Sequence, residues 1–314
     1  MRVFVAGASG AIGRQLLPLL VRAGHAVVGM TRSEAKADAL RALGAEPVVA
    51  DALNRAAVVR AVAAAAPDII VHELTALASF SDFRHFDREF DATNRLRTEG
   101  TDILIAAAQV AGGQRLVAQS FAGWPYAREG AMVKCEDDRL DPDPPAQFRR
   151  TVAAIRHLEN AVLAGNGFAG TVLRYGAFYG LGTSVAIGGQ LVEAIRQQRF
   201  PIIGAGTGMW SFIHIDDAAA ATLAAIENAS PGLFNITDDE PAPVREWLPF
   251  LAAAIGAPPP RHLPAWLGRL LVGRVGLAMM TEVRGAANTK AKRELGWRPR
   301  FSTWREGFRN GLAD

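Results

Sequence analysis

The sequence predicts an α/β fold: a doubly wound parallel sheet carrying a smaller, mostly helical C-terminal cap. Two observations point to it. Short apolar runs alternate with amphipathic stretches from residue 2 to residue 174, the order that gives parallel strands joined by helical crossovers. The first run, Val3-Phe4-Val5-Ala6, ends abruptly at Gly7, as a strand buried on both faces does.

A glycine turn follows that strand. Glycines stand at Gly7, Gly10 and Gly13, and Ile12, Leu16, Leu17 and Leu20 continue at helical spacing. Such a turn exposes backbone N–H groups at a helix N-terminus, where a phosphate can sit. Gly7 permits the tight turn, Gly10 lets a pyrophosphate approach, and Gly13 allows close helix–strand contact. Ser9, Ala11 and Ile12 complete the predicted phosphate-facing segment. Three glycines alone are a weak signal, and the strand before and helix after them supply the confirming context.

The remaining elements follow in order. The first helix runs to about Ala23, with Pro18 inside it predicting a kink. His25 to Met30 is a second strand, ending at Thr31-Arg32-Ser33. A carboxylate there would bind the adenosine ribose of NAD. Thr31 and Arg32 stand instead, and a guanidinium can grip a 2′-phosphate with charge-assisted bonds. NADP is therefore favoured over NAD, the alternative being that Arg32 is a solvated loop residue.

A helix at roughly 33–43 precedes the third strand, Glu46 to Ala50, and then Asp51-Ala52-Leu53. Asp51 can reach an adenine amino group or cap the helix from Asn54. Pro67 to His72 is the fourth strand and leads into Glu73-Leu74-Thr75-Ala76, where a cofactor ribose is expected. Glu73 reads as a buried acid with a raised pKa or as a helix-capping carboxylate. Phe80, Phe83, Phe86 and Phe90 fall at near-helical spacing, favouring a core-facing stripe over a substrate lid. A long helix at 93–111, a fifth strand at Arg115–Ser120, an exposed irregular loop at 128–146, a helix at 147–164 and a sixth strand at Gly170–Arg174 come next. After Tyr175 the rhythm breaks into a Gly-rich passage, a helix near 190–198 and a strand-like Ser211 to Ile215. A helix from Asp216 to Ile226 and a strand at Leu233–Ile236 follow. Residues 1–175 plus about 215–240 are thus assigned to a dinucleotide-binding domain, and about 176–214 and 241–314 to a substrate-binding cap.

Composition narrows the function classes. Of 314 residues, 50% are hydrophobic and 21% charged, and the 34 basic and 31 acidic side chains leave a net +3. That is the balance of a globular protein. The basic residues are dispersed, which argues against nucleic acid. Cys135 is the single cysteine and the six histidines show no paired spacing, so neither an internal disulfide nor a metal site is expected. No apolar run reaches about 18 residues, and the first strand begins at the N-terminus. A cytoplasmic protein with a small-molecule substrate and no membrane contact is the expectation. A homodimer is compatible with the sequence, which does not fix the assembly.

Further segments carry a resemblance over nearly the whole length. Besides the glycine turn they are Asp51-Ala-Leu, Asn94 followed by Glu99-Gly-Thr-Asp-Ile-Leu, Val172-Leu-Arg174 with Tyr179-Gly180, and Phe212-Ile-His-Ile-Asp216-Asp217-Ala. Phe234-Asn-Ile and Asn288-Thr-Lys-Ala-Lys-Arg-Glu-Leu-Gly-Trp297 complete the set. The chain resembles an extended short-chain dehydrogenase/reductase of the NAD-dependent epimerase/dehydratase type. The resemblance implies a Rossmann-type fold, a nicotinamide dinucleotide, and catalysis by a Tyr, a Lys four residues later, and a Ser or Thr that binds the carbonyl oxygen.

The chain departs from that pattern at the chemistry. Its three tyrosines are Tyr126, Tyr175 and Tyr179, and none has a Lys four residues on. Aligned on Leu158-Glu159, the usual Tyr falls at Thr151 and the Lys at Ile155. The carbonyl-binding position falls at Phe121, with Ser120 beside it as a substitute. Where sugar-nucleotide members carry a diphosphate-binding Arg, this chain has Trp210. Trp210 then reads either as a contact for a more apolar substrate or as packing beneath the cap. Candidate catalytic residues are Ser120, Tyr126 and Tyr175, and candidate substrate contacts are Glu73, Phe121, Phe178 and Trp210. His157 and His214 are read as structural. Three functions remain open: an NADP-dependent oxidoreductase acting on a small, apolar carbonyl or hydroxyl substrate with a non-standard proton donor, an epimerase, lyase or cyclase, and a non-catalytic dinucleotide sensor.

Overall fold

The computed structural model describes residues 1–77, 83–112, 114–165 and 167–313. Its centre is a seven-stranded sheet built from β1 (Arg2–Ala6), β2 (Ala26–Thr31), β3 (Glu46–Val49), β4 (Ile69–His72), β5 (Arg115–Phe121), β6 (Ala169–Tyr175) and β7 (Gly232–Ile236). The spatial order is 7-6-5-4-1-2-3, and every neighbouring pair is parallel. The order reverses between β1 and β4, so a crevice opens there beyond the carboxyl ends of the strands.

Helices cover both faces, as continuous apolar strands require. Val3 and Val5 of β1 face a core shared with Leu16, Leu17 and Leu20 of α1 (Ala11–Arg22). Phe4 and Ala6 face the other side, where α3 (Arg55–Ala65) and α4 (Thr101–Ala111) supply Val58, Val62, Ile103 and Leu104; α2 (Ala37–Ala42) puts Leu40 into the first core. α5 (Arg149–Leu163) joins the second core through Leu158 and Val162, and α6 (Ile215–Asn228) joins the first through Ala218, Ala221 and Ile226.

Several expectations change in detail. α1 runs through Pro18 to Arg22, one residue short of the expected end. The predicted helix at 93–111 is divided into Asp91–Arg95, a π turn at Leu96–Gly100, and α4. Phe86 and Phe90 do sit in a buried cluster, whereas Phe80 and the side chain of Phe83 lie outside the described residues. The acidic loop at 128–146 is not a free exposed loop: Val133–Lys134 pairs with Gly285–Ala286, and Glu136 accepts the Asn235 backbone N–H at 2.8 Å. Its charges are used to bridge the cap and the sheet edge.

The cap is built on α7 (Val244–Ala254), α8 (Ala265–Thr281) and α9 (Trp304–Asn310) around Trp247, Trp304, Phe212 and Phe308. The division between the two units is less clean than the sequence suggests, because Ala291, Leu295 and Trp297 belong to the α1–α6 core.

One buried polar network joins β5, β6, β7 and α5. Arg174 grips Glu159 with Nε–Oε1 and Nη2–Oε2 bonds of 2.7 and 2.6 Å. Ser120 donates to the same Oε1 at 2.6 Å. Arg174 Nη1 donates to the Tyr126 hydroxyl, which donates onward to Asn235 Oδ1 at 2.6 Å. Removing one partner of such a pair strands a buried charge. Arg174→Met is therefore expected to cost about 3–5 kcal/mol in urea unfolding, and adding Glu159→Leu should return most of it. A single variant with an unchanged midpoint would contradict this account.

Candidate functional site

The site begins where β1 meets α1. Gly7 has φ +95°, and a Cβ there would lie 2.5 Å from the Glu73 carbonyl oxygen. A Cβ on Gly13 would run into the Ala8 carbonyl. Neither position tolerates a side chain. Gly10 is the N-cap of α1, and its N–H donates to the Gly7 carbonyl at 2.9 Å. No side chain caps this helix and its first turn holds no acid, so its leading amides stay available to an anion. The geometry fits the diphosphate of a dinucleotide.

A cleft of about 1440 Å³ extends from this turn in both directions. Ser9, Gly10, Ala11 and Ile12 line it, while Gly13 lies behind in the helix–strand contact. At one end Ser9 and Thr31 share a hydroxyl contact of 3.2 Å, and the Ser33 N–H donates to Thr31 Oγ1 at 3.3 Å. Arg32 and Lys36 line the same end with exposed side chains. Asp51, Ala52 and Leu53 border it. Asp51 accepts the Leu53 N–H at 3.0 Å, and Asn54, not Asp51, caps α3 by accepting from Ala57. Leu74, Thr75 and Ala76 continue the wall, with the Ala76 N–H donating to Thr93 Oγ1 at 3.0 Å.

The other end is an aromatic chamber. Phe86 and Phe90 stack at 4.2 Å, Trp124 meets Phe86 edge-on at 5.3 Å, and Phe121 lies 5.4 Å from Trp124. All four line the cleft, facing Phe178, Trp210 and Met279. Trp210 both borders the cleft and packs within the cap. It lines the chamber, and it packs on Trp247 at 5.1 Å while its Nε1–H donates to the Met279 carbonyl at 2.9 Å.

The three candidate catalytic hydroxyls are not brought into this chamber. Ser120 is 1% exposed and committed to Glu159, and Tyr126 is 0% exposed and committed to Asn235 and Arg174. Burial pushes the Tyr126 phenol up to about 12. Neither lines the cleft, because the network that charges Glu159 and Arg174 needs both hydroxyls. Tyr175 is also fully buried, beneath the cleft. Its hydroxyl donates to Glu73 Oε1 at 3.2 Å and lies 2.7 Å from Thr222 Oγ1; burial and the neighbouring Glu73 raise its pKa.

Glu73 does line the cleft. It is 5% exposed, and burial raises its pKa to about 8, against a smaller lowering by the Tyr175 hydrogen bond. Among the described residues it caps no helix, and its burial is that of the buried-acid reading. Thr151 donates to Asp87 at 2.5 Å and accepts from Asn94 at 3.0 Å. Ile155 packs in the cluster of Phe86, Phe90 and Trp124. His214 is structural, taking the Asp216 N–H at Nδ1 and facing the Gly311 carbonyl at 3.0 Å; His157 faces Asp102 on the surface at 2.8 Å.

Sequence reasoning missed Lys36, Trp124 and Arg14. Lys36 lies one turn beyond Ser33, a spacing that could have flagged it beside Arg32. Arg14 lines the cleft from the first turn of α1 and would meet any Cβ on Gly182. Trp124 stands two residues before Tyr126, but only the fold shows which ring turns to the cleft. Among the described residues no group of three metal-ligating side chains occurs, and no helix is long and apolar enough to cross a membrane.

Comparison with known proteins adds context to this geometry. The model of the NAD dependent epimerase/dehydratase family matches residues 3–237. A 3-diazoavenalumate denitrifying reductase from a Streptomyces species is 46% identical over 310 residues, covering 98% of this chain and 99% of the relative. A 4-hydroxy-2-methyl-3-oxo-4-farnesyl-3,4-dihydroquinoline-1-oxide ketoreductase from Stigmatella aurantiaca is 31% identical, with 96% and 93% covered. Among solved structures, UDP-glucose 4-epimerase with UDP-glucose from Thermotoga maritima has a TM-score of 0.76 at 20% identity, covering 99% and 97%. DesIV, a dTDP-glucose 4,6-dehydratase from Streptomyces venezuelae with NAD and TYD bound, has a TM-score of 0.77 at 19% identity, covering 99% and 96%. The two structures share the fold with this chain.

The buried acid has a consequence for stability. Folded Glu73 keeps its proton to about pH 8, whereas the ordinary value is 4.5. Between those values the native state binds the extra proton, so this group makes stability fall as pH rises through the window. Thermal melts from pH 5 to 9 should show Glu73→Gln losing part of that decline. An identical slope in both proteins would refute it.

Proposed function

The chain belongs to the NAD dependent epimerase/dehydratase family, and from that premise we propose that it is an NADP-dependent reductase that removes a diazo group from a flat aromatic substrate. The observation that carries this reading is the chamber wall. Phe86, Phe90, Phe121 and Trp124 face the cleft, while Thr151, Ile155, Ser120 and Tyr126 stay buried behind or beside them. Among the described residues, no phenol and no ammonium group lines the chamber to protonate a carbonyl oxygen.

A nicotinamide bound in the cleft supplies hydride, and hydride added to a diazonium carbon displaces dinitrogen with its electron pair, so the balance closes without a protein acid. What the protein does is hold two ligands. The α1 N-terminus and Arg14 would hold the diphosphate, Arg32 and Lys36 would hold a 2′-phosphate, and the aromatic rings would clamp a planar substrate and exclude water. The diazo substrate named for the 46% identical reductase supports the same reading. Ketoreductase activity, as named for the 31% identical relative, would have to draw its proton from Glu73, since Ser120, Tyr126 and Tyr175 do not line the cleft.

The test supplies 3-diazoavenalumate, NADPH and, separately, NADPH deuterated at C4. The expected result is one dinitrogen released per NADPH consumed, with deuterium on the carbon that carried the diazo group. Reduction of ketones with no dinitrogen from the diazo compound, or no turnover of either, would overturn the proposal. For the cofactor, removing the charges with Arg32→Ala and Lys36→Ala should weaken NADPH by about 10- to 100-fold and NADH by less than about twofold. Equal losses would remove the 2′-phosphate role.

A further inference from the structure

Glu73 carries a carboxyl oxygen that the protein leaves over. Oε1 accepts from Tyr175, but Oε2 is buried with no partner among the described residues. A buried polar atom is costly to leave unpaired, and this one borders a cleft built for a ligand. Its place on the path is defined from both sides. The Glu73 carbonyl lies against Gly7, in the phosphate-facing turn. Tyr175, which holds its carboxyl, meets the Phe178 ring at a tilt with centroids 5.5 Å apart, and Phe178 lines the cleft beside the aromatic chamber. A dinucleotide whose diphosphate sits at the turn and whose ring enters the chamber runs along the wall to which Glu73 belongs.

We propose that Glu73 is the hydrogen-bond partner of the nicotinamide half of the bound dinucleotide, engaging a ribose hydroxyl or the ring carboxamide through its unpaired oxygen. The inference rests on the dinucleotide reading of the cleft but not on the diazo substrate. Its protonation state follows from the surroundings. Facing the carboxyl are the Tyr175 hydroxyl from β6, and through it Thr222 from α6. The neighbouring His72 turns its ring to Thr101 on α4 instead, and Arg14 lines the cleft from α1. Burial therefore dominates and keeps the acid neutral up to about pH 8. A neutral acid can donate as well as accept, and it places no charge beside a diphosphate. Ionisation removes the donor and adds a repelling charge, so affinity falls as pH rises above about 8.

The experiment measures binding alone, by calorimetry and tryptophan fluorescence, so failure of the reductase reading would show separately as absent turnover. Three probes are used: NADPH, 2′-phospho-ADP-ribose and 2′,5′-ADP. Glu73→Ala should weaken NADPH about tenfold and leave 2′,5′-ADP within about twofold. An equal loss for 2′-phospho-ADP-ribose assigns the contact to the ribose, and no loss assigns it to the carboxamide; both support the proposal. Glu73→Gln, which keeps a donor and an acceptor, should hold NADPH within about threefold at pH 7 and abolish the decline above pH 8. The proposal is overturned if Glu73→Ala binds NADPH unchanged or loses 2′,5′-ADP as strongly. It is also overturned if Glu73→Gln keeps the wild-type pH slope.

Discussion

The approach of Gly7 to the Glu73 carbonyl is the constraint on which the site depends. It brings the turn after β1 against the end of β4, at the point where the sheet order reverses. Any side chain at residue 7 would push the two apart. Because they touch, the N-terminus of α1 opens directly over the crevice, and the Glu73 carboxyl lies on the same path. A phosphate-facing helix end and a buried acid are thus two products of one backbone contact. Gly13 continues the argument by letting α1 lie close on the strand that delivers it.

A second constraint acts through charge. Arg174 and Glu159 are both nearly inaccessible, and a buried pair of this kind holds only if its remaining valences are satisfied. Ser120 and Tyr126 supply those bonds. The hydroxyls that looked free in the sequence are therefore structural ligands of an ion pair. Tyr126 in turn reaches Asn235, whose backbone binds Glu136 in the loop above the sheet. The same network that ties β5, β6 and β7 together removes two candidates from the chamber.

This contrast explains how far the sequence could be read. Strands, their parallel order and the glycine turn are local or periodic features, and they were legible because burial on two faces imposes continuous apolar runs. The cleft-lining set at Ser9 to Ile12, Thr31, Arg32, Asp51 to Leu53 and Leu74 to Ala76 followed from strand ends alone. Side-chain commitment was not legible. Whether Ser120 points at a ligand or at Glu159 depends on residues 39 positions apart, and no local pattern encodes that choice. The loop at 128–146 was misjudged for the same reason, since its partners at 235 and 285 arrive from the far end of the chain.

The chamber then raises a question of compatibility between wall and chemistry. An ammonium and a phenol beside a reacting carbonyl need polar company, whereas stacked rings desolvate whatever lies against them. At the positions where the family pair would fall, Thr151 is bound to Asp87 and Asn94 and Ile155 is packed among rings. A lysine at Ile155 would be buried without a counter-charge in that cluster, at a cost of several kcal/mol or with loss of its proton. At this wall, Thr151 and Ile155 are thus held by their packing and hydrogen bonds. Dinitrogen leaves as a neutral gas once hydride is delivered, so the step asks nothing further of such a wall, and in this respect the proposed diazo chemistry fits the chamber better than carbonyl reduction does.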